Sequence, residues 1–131
     1  MTIPVEIEQL LAAWAKATEE SDVDGLMLLC AEDFTVIAGG SPVFSGRDMM
    51  RRVYAHVFAE TKVSHVSTVH DVRVDGALAM VASDEAVTLA PRIGGEAKQL
   101  ALRQMTMLVR EADGWKFARV LSNMLRPEEA A

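Results

Sequence analysis

The chain has few of the residues that would assign it at once to a familiar class. Its single cysteine, Cys30, cannot form a disulfide within the chain, so a secreted, disulfide-stabilised fold gains no support. Aromatic residues make up only 5% of the sequence, so the core must consist mainly of aliphatic side chains and the eight methionines. No repeat or linker divides the 131 residues, and residues 1–131 are therefore predicted to form a single domain.

Basic residues are also in short supply. Thirteen Lys and Arg face nineteen Asp and Glu, which gives a net charge of −6. Such a chain repels phosphate groups and anionic lipid surfaces, so neither a nucleic-acid partner nor a membrane partner is expected. No basic n-region opens the sequence, and no run approaches the ~18 apolar residues of a membrane span. A cytoplasmic location is the expectation.

Helical periodicity dominates the first sixty residues. Apolar residues recur at helical spacing and predict helices at about residues 5–20, 21–32 and 45–60. Ser21 with Asp24, and Ser45 with Asp48, have the spacing of capping boxes, so each serine is predicted to begin a helix. Cys30 falls on the apolar stripe of the second helix, where a buried, inert thiol is expected.

Beyond residue 60 the apolar residues alternate instead. Strands are predicted at about 63–74, 78–90, 99–110 and 115–124, with short strands at 34–38 and 43–44. Asp75-Gly76 and Asp113-Gly114 are hairpin signals, and residues 126–131 form a predicted frayed tail. Helices followed by strands indicate an α+β fold. We expect three N-terminal helices packed in the concave face of a strongly curved antiparallel sheet, with a hollow for a ligand between the layers.

Several segments carry a family resemblance: Ser21–Leu26, Ala31–Val36, Phe44–Arg47, Asp113–Phe117 and Asn123–Leu125. In these the chain resembles the ketosteroid-isomerase-like, or SnoaL-like, branch of the nuclear-transport-factor-two-like superfamily. The resemblance extends over roughly residues 5–127 and implies a cone-shaped, cystatin-like topology. It also implies a homodimer formed through the outer face of the sheet. Function does not follow, because this fold hosts both enzymes and binding modules.

The sequence departs from ketosteroid isomerases at the positions that the resemblance assigns to catalysis. Ala38 stands where the family has its proton-transferring Asp, and a methyl group cannot act as a base. Trp14 stands near the family's oxyanion Tyr, and an indole N–H cannot relay a proton. The stretch Gln99–Val109 has no Asp or Glu to match the family's protonated carboxyl. Ketosteroid-isomerase chemistry is therefore not expected.

His70 and Asp84 are the predicted acid–base candidates. His70 shares its parity with Val66 and Val72, and histidine is a common acid–base side chain, although a hydrogen-bonded core or rim histidine is the simpler interpretation. Asp84 and its neighbour Glu85 interrupt an apolar strand and must point to opposite faces. We predict Asp84 inward, paired with His70 or an arginine, and a purely structural ion pair is the alternative. His56 and His65 are predicted to face solvent or a dimer partner.

The predicted ligand-pocket residues are Trp14, Tyr54, Arg103, Gln104 and Asn123. Trp14 and Tyr54 lie on the buried stripes of their helices, so simple core packing and contact with a ligand are equal alternatives for both. Arg103 and Gln104 have opposite parities, so one of the two should face the pocket. No His or Cys pair has metal-ligand spacing, and no glycine pair precedes a helix in a phosphate-binding pattern. Neither a metal nor another cofactor is predicted.

Three functional hypotheses remain open. The first is a domain that binds a small hydrophobic molecule in an apolar, cone-shaped pocket. The second is an isomerase-, cyclase- or hydrolase-type enzyme that acts on a hydrophobic metabolite. The third is a dimeric interaction module without a ligand.

Overall fold

The computed structural model describes residues 2–126, so the predicted tail lies outside the described residues apart from Arg126. Its helices are α1 (Val5–Glu19), α2 (Val23–Leu28) and α3 (Arg47–Glu60). Its strands are β1 (Cys30–Ala38), β2 (Phe44–Ser45), β3 (Thr61–Asp75), β4 (Leu78–Pro91), β5 (Lys98–Glu111) and β6 (Gly114–Met124). The predicted α+β fold is confirmed, as are both Asp-Gly hairpins. No helix within residues 2–126 has the length and apolarity to cross a membrane.

Six strands form one curved sheet that does not close, in the order β2-β1-β6-β5-β4-β3. Strands β3 to β6 form the predicted antiparallel meander. One pair departs from the expected arrangement, because β1 runs parallel to β6 and pairs Val36 with Val120. A parallel pair needs a long crossover connection. Here β2, α3 and strands β3 to β5 lie between the two strands in the sequence.

The core lies between the helices and the concave face of the sheet. Ile7 of α1, Leu26 of α2 and Leu108 of β5 are completely buried there. Their burial removes apolar surface from water, which supplies about 25 cal/mol for each Å² and holds the two layers together. Aromatic side chains from both layers join the same cluster, including Phe34 of β1 and Phe117 of β6.

The start and the end of α2 both differ from the prediction. Asp22, not Ser21, caps the helix, since its Oδ1 accepts a hydrogen bond from the Gly25 N–H at 2.9 Å. Ser21 has a φ of +56°, which turns the chain between α1 and α2. The helix ends at Leu28, and Cys30 already belongs to β1. Pairing with Phe117 of β6 therefore overrides the helical pattern at Cys30.

The start of α3 also differs from the prediction. Its N-cap is Gly46, which has a φ of +95° that favours glycine. The Ser45 hydroxyl is engaged elsewhere, because its Oγ lies 2.9 Å from Thr35 Oγ1 across the β1–β2 pair. Ser45 is therefore a strand residue and does not cap the helix.

A β-bulge in β3 has the largest consequence for the site. Val69 lies opposite Ser83 and Asp71 lies opposite Ala82, so His70 is the extra residue between them. One inserted residue exchanges the two faces of a strand. Inward positions are therefore odd-numbered before His70 and even-numbered just after it, so Val69 and Val72 both pack against the core.

Candidate functional site

A cavity of about 420 Å³ lies between the helices and the concave face of the sheet. This volume falls in the range of small-molecule sites, about 300–1,000 Å³. Gly39, Ser41 and Met124 line the cavity and are themselves exposed, so the cavity opens to solvent at that end. An aromatic group lines much of the rest, made up of Trp14, Phe34, Tyr54, Phe58 and Phe117.

Trp14 of α1 is the centre of this aromatic wall. Its ring centroid lies 4.8 Å from that of Phe117 and 5.8 Å from that of Tyr54, in edge-to-face arrangements that aromatic rings favour. Burial raises the pKa of the Tyr54 phenol well above its usual value, so the phenol stays protonated near neutral pH. Trp14 and Tyr54 therefore lie where the sequence places them, in the wall of the cavity.

The sheet contributes a polar strip to the cavity floor. Ser83, Gln104 and Ser122 lie directly opposite one another on β4, β5 and β6, and all three line the cavity. Gln104 is thus the member of the Arg103–Gln104 pair that faces inward. Arg103 lies opposite Asn123 on the other face, so the pocket positions predicted for these two residues are wrong.

The most polar part of the cavity is formed by Glu85 of β4 with His65 and Ser67 of β3. Ser67 Oγ donates a hydrogen bond to Glu85 Oε1 at 2.5 Å. His65 Nε2 lies 3.6 Å from the same oxygen, which is within ion-pair range but longer than a hydrogen bond. Only 9% of the His65 side chain and 11% of the Glu85 side chain are exposed.

The hydrogen-bonding capacity of this group is not filled. Burial raises the pKa of Glu85, and the neighbouring hydroxyls of Ser67 and Ser83 together with the nearby His65 act in the opposite direction. Within residues 2–126, Glu85 Oε2 and His65 Nδ1 are buried without a hydrogen-bond partner. Buried polar groups usually have partners, and leaving one without costs about 1–3 kcal/mol.

His70 and Asp84 come together, but on the opposite face of the sheet. His70 Nε2 lies 3.2 Å from Asp84 Oδ2, and Arg103 Nε lies 2.9 Å from Asp84 Oδ1. The hydrogen bond from Arg103, with a smaller contribution from His70, lowers the pKa of Asp84. The prediction that Asp84 points inward is wrong, because Glu85 takes the inward position. His70 lies outside because the bulge reverses its parity relative to Val72.

Sequence reasoning missed His65, Ser67 and Glu85 as site residues. His65 was expected in solvent or at a dimer contact, yet it lines the cavity. A signal for the correct choice was present, since Val63 and Val69 share the parity of His65. Val72 also packs against the core although its number is even, and this change from odd to even inward positions indicates the bulge. His56 does lie on an exposed surface, as expected.

The positions tied to ketosteroid-isomerase chemistry also line this cavity. Ala38 and Trp14 form part of the wall, and β5 contributes Leu102, Gln104 and Thr106 to it. Within the described chain, Glu85 is the only acidic residue that lines the cavity. Its carboxyl comes from β4, not from the positions that the resemblance assigns to acids. Residues 2–126 contain no group of three side chains that could hold a metal ion.

The outer face of the sheet carries an apolar row. Met105, Leu121 and Ile37 lie directly opposite one another on β5, β6 and β1. They are 45%, 51% and 44% exposed. The charged pair Asp84 and Arg103 flanks this row on β4 and β5. The outer face therefore combines exposed apolar side chains with charges of both signs.

Comparison with known proteins identifies the fold. The SnoaL-like domain family matches residues 7–126. A conserved protein from Planctomyces limnophilus superposes with a TM-score of 0.87 at 20% identity, over 92% of this chain and 94% of that protein. A ketosteroid isomerase-like protein from Erwinia carotovora atroseptica gives 0.79 at 22% identity, over 93% and 95%.

An NTF2-like protein with a cystatin-like fold from Novosphingobium aromaticivorans gives a TM-score of 0.77 at 20% identity, over 93% of this chain and 81% of that protein. None of the curated proteins compared with the chain matches it. At these identities the solved structures show the fold alone. The family match covers nearly the whole chain, and the chain therefore belongs to the SnoaL-like domain family.

Proposed function

We propose that this chain is a small-molecule-binding domain whose ligand is a hydrophobic compound. The observation that carries the proposal is the cavity of about 420 Å³, open at one end and lined by an aromatic wall and a polar floor. A mostly apolar cavity with a few polar groups is the usual form of a ligand site. The family includes ligand-binding proteins as well as isomerase- and dehydratase-type proteins.

The interaction module without a ligand is less well supported. A module of that kind would gain stability by filling its core, since protein interiors are normally close-packed. Here three residues that line the cavity, Thr18, His65 and Glu85, each have a buried side-chain atom without a hydrogen-bond partner within residues 2–126. Such an arrangement costs stability and is understandable where a ligand has to be bound.

The proposal can be tested with N-phenyl-1-naphthylamine, a neutral probe that fluoresces in apolar surroundings. We expect saturable binding with energy transfer from Trp14, so Trp115→Phe should keep the transfer signal. Ala38→Trp, which fills the cavity wall, should reduce the affinity at least tenfold. Ala12→Trp on the exposed side of α1 is the matched control. Equal affinity in both tryptophan variants would contradict binding in this cavity.

A proton-transfer enzyme is the second candidate function, and Glu85 with His65 favours it. A buried carboxyl with a raised pKa beside an imidazole is a suitable general acid–base group. Gln104 and the protonated Tyr54 line the same cavity and could steady developing negative charge on a substrate. These residues would take the roles that the sequence assigned to His70 and Asp84.

Hydrogen–deuterium exchange provides a direct test of this second candidate. Cyclic ketones are incubated with the protein in D₂O, and exchange at the carbon next to the carbonyl is followed by NMR. Glu85→Gln should abolish catalysed exchange, whereas Asp84→Asn on the opposite face should retain it. If both variants exchange at the wild-type rate, Glu85 has no part in proton transfer.

We also propose that two copies associate through the outer face of the sheet. The Met105–Leu121–Ile37 row is apolar and exposed, which is unusual for a surface that stays in water. A two-fold interface brings the same surface of both copies together, so it must be self-complementary. Asp84 and Arg103 beside the row supply both charges that such an interface needs.

A further inference from the structure

The unpartnered polar atoms of the cavity indicate which ligand chemistry would complete it. We propose that the cavity takes a neutral ring compound with a hydroxyl group, and that this hydroxyl donates a hydrogen bond to the Glu85 carboxyl. This inference rests on the proposed ligand-binding function and specifies the ligand of the same cavity.

The charges in the wall argue against an anionic ligand. Among the described residues that line the cavity there is no Lys and no Arg, and Glu85 supplies a carboxyl. A carboxylate, sulfonate or phosphate ligand would lie near this carboxyl, with only His65 as a possible cation. Burying an anion without a paired cation is costly.

A cationic ligand is disfavoured for a different reason. His65 Nε2 already lies 3.6 Å from Glu85 Oε1 and occupies the place of a cationic partner. Since burial raises the pKa of Glu85, the full negative charge that an ammonium group would require is itself unfavourable. A neutral ligand avoids both costs.

The unfilled position on Glu85 is a carboxyl oxygen, which accepts hydrogen bonds when the group is ionised. Glu85 Oε1 receives the Ser67 hydroxyl, while Oε2 has no partner within the described chain. Glu85 is one of the residues that line the cavity. An O–H group fits this position, and an ether oxygen at the same place would leave Oε2 unpartnered.

The aromatic wall is the reason that a ring is proposed for the ligand. Trp14, Tyr54 and Phe58 of the two helices line the cavity, and their rings pack against one another. Aromatic side chains pack well against flat rings. A ligand with a ring towards the helices and a hydroxyl group towards β3 and β4 would therefore contact both surfaces.

Isothermal titration calorimetry at pH 7.5 tests the inference with four related probes. They are 2-naphthol, its methyl ether 2-methoxynaphthalene, the anion 2-naphthoate and the cation 2-(aminomethyl)naphthalene. We expect 2-naphthol to bind at least tenfold more tightly than each of the others. Tenfold corresponds to about 1.4 kcal/mol, which lies within the range for the net contribution of one hydrogen bond.

Two variants assign the preference to Glu85. In Glu85→Leu the advantage of 2-naphthol over its ether should fall to within twofold, and Glu85→Met provides an unbranched replacement without an oxygen acceptor should the leucine variant fold poorly. Asp84→Asn is the matched control and should keep the full preference, because Asp84 lies on the opposite face.

Each outcome separates the two proposals. Equal binding of 2-naphthol and its ether overturns the hydroxyl inference and leaves the binding function standing. Tightest binding of 2-naphthoate or of the amine overturns it as well, as does an undiminished preference in both Glu85 variants. If none of the four probes binds, the proposed binding function itself fails.

Discussion

Glu85 of β4 accepts a hydrogen bond from Ser67, its directly opposite neighbour on β3, with 2.5 Å between Ser67 Oγ and Glu85 Oε1. The next residue, Asp84, points to the other face and is held by Arg103 at 2.9 Å. Two adjacent carboxyls of one strand therefore have contrasting surroundings. The first is buried in the cavity wall, and the second lies in an ion-pair cluster on the outer face.

The contrast predicts opposite effects of pH on stability. Burial raises the pKa of Glu85, so folding favours its protonated form. The contribution of Glu85 is full below its unfolded pKa of about 4.3 and is lost as the pH rises through the folded pKa. Glu85→Gln should therefore be more stable than wild type at pH 7, on the order of 1 kcal/mol. Urea unfolding from pH 4 to pH 8 should show this gap closing towards pH 4.

Asp84→Asn provides the control of opposite sign. Arg103 lowers the pKa of Asp84, so its contribution is present above the unfolded pKa of about 3.9 and is lost as the pH falls through the folded pKa. This variant should be less stable than wild type at pH 7, and the two should converge at low pH. Parallel pH profiles for the Glu85 and Asp84 variants would contradict the opposite environments.

A double-mutant cycle tests the cap of α2. Asp22→Ala removes the hydrogen bond to the Gly25 N–H and should cost about 1 kcal/mol. Gly25→Ala should also destabilise the protein, since a Cβ there would overlap the Asp22 carboxylate. In the Asp22→Ala background that overlap is gone, and alanine should become the better helix residue by about 1 kcal/mol. Additive effects in chemical unfolding would show that Asp22 does not cap this helix.

The Cys30 thiol should be unreactive in the folded protein. Cys30 is buried, and burial raises its pKa to about 12, so almost no thiolate forms near neutral pH. Labelling with 5,5′-dithiobis(2-nitrobenzoic acid) at pH 8 should be at least a hundredfold slower in buffer than in 6 M guanidinium chloride. Rapid labelling of the folded protein would place this thiol at an accessible surface.

A charge on the outer face should separate the proposed dimer. Met105→Glu and Leu121→Glu each place a carboxylate in the apolar row, where burial in an interface would leave it without a partner. Sedimentation velocity at micromolar concentration should show a dimer for wild type and a monomer for both variants. Ile93→Glu is the control, because Ile93 lies in a loop and is 95% exposed. A wild-type monomer would rule out this interface at that concentration.

The types of the secondary-structure elements were predicted well from the sequence, because a long stretch with regular hydrophobic periodicity indicates a helix or a strand. The stripe through Tyr54 and Phe58 and the alternation in β4 both led to correct elements. The boundaries of the elements were predicted less well where pairing with a distant strand determines them. Cys30 continues a helical pattern, yet its strand pairing with Phe117 depends on a contact that local periodicity does not contain.

The site was predicted only in part, for a related reason. Trp14 and Tyr54 follow from the helix stripes, whereas Gln104 was one of two alternatives that parity left open with Arg103, and Trp14, Tyr54 and Gln104 line the cavity.

The choice between Asp84 and Glu85 depends on which face of β4 is covered, and the sequence pattern of β4 left both faces open. In the structure Glu85 shares the covered face with Ala79 and Val81. The bulge decides only the position of His70, because the inserted residue places it on the outer face although Val72, of the same parity, faces the core.

The parallel pairing of β1 with β6 has a consequence for synthesis of the chain. β1 emerges from the ribosome well before its partner strand β6, because β2, α3 and strands β3 to β5 are made between the two. Until β6 arrives, one edge of β1 has no partner, and Phe34 has no Phe117 beside it to complete the core. Closing so distant a contact is slow compared with forming local hairpins. Truncation before β6 should therefore leave an aggregation-prone intermediate, and native folding should be completed only after the last strand is released.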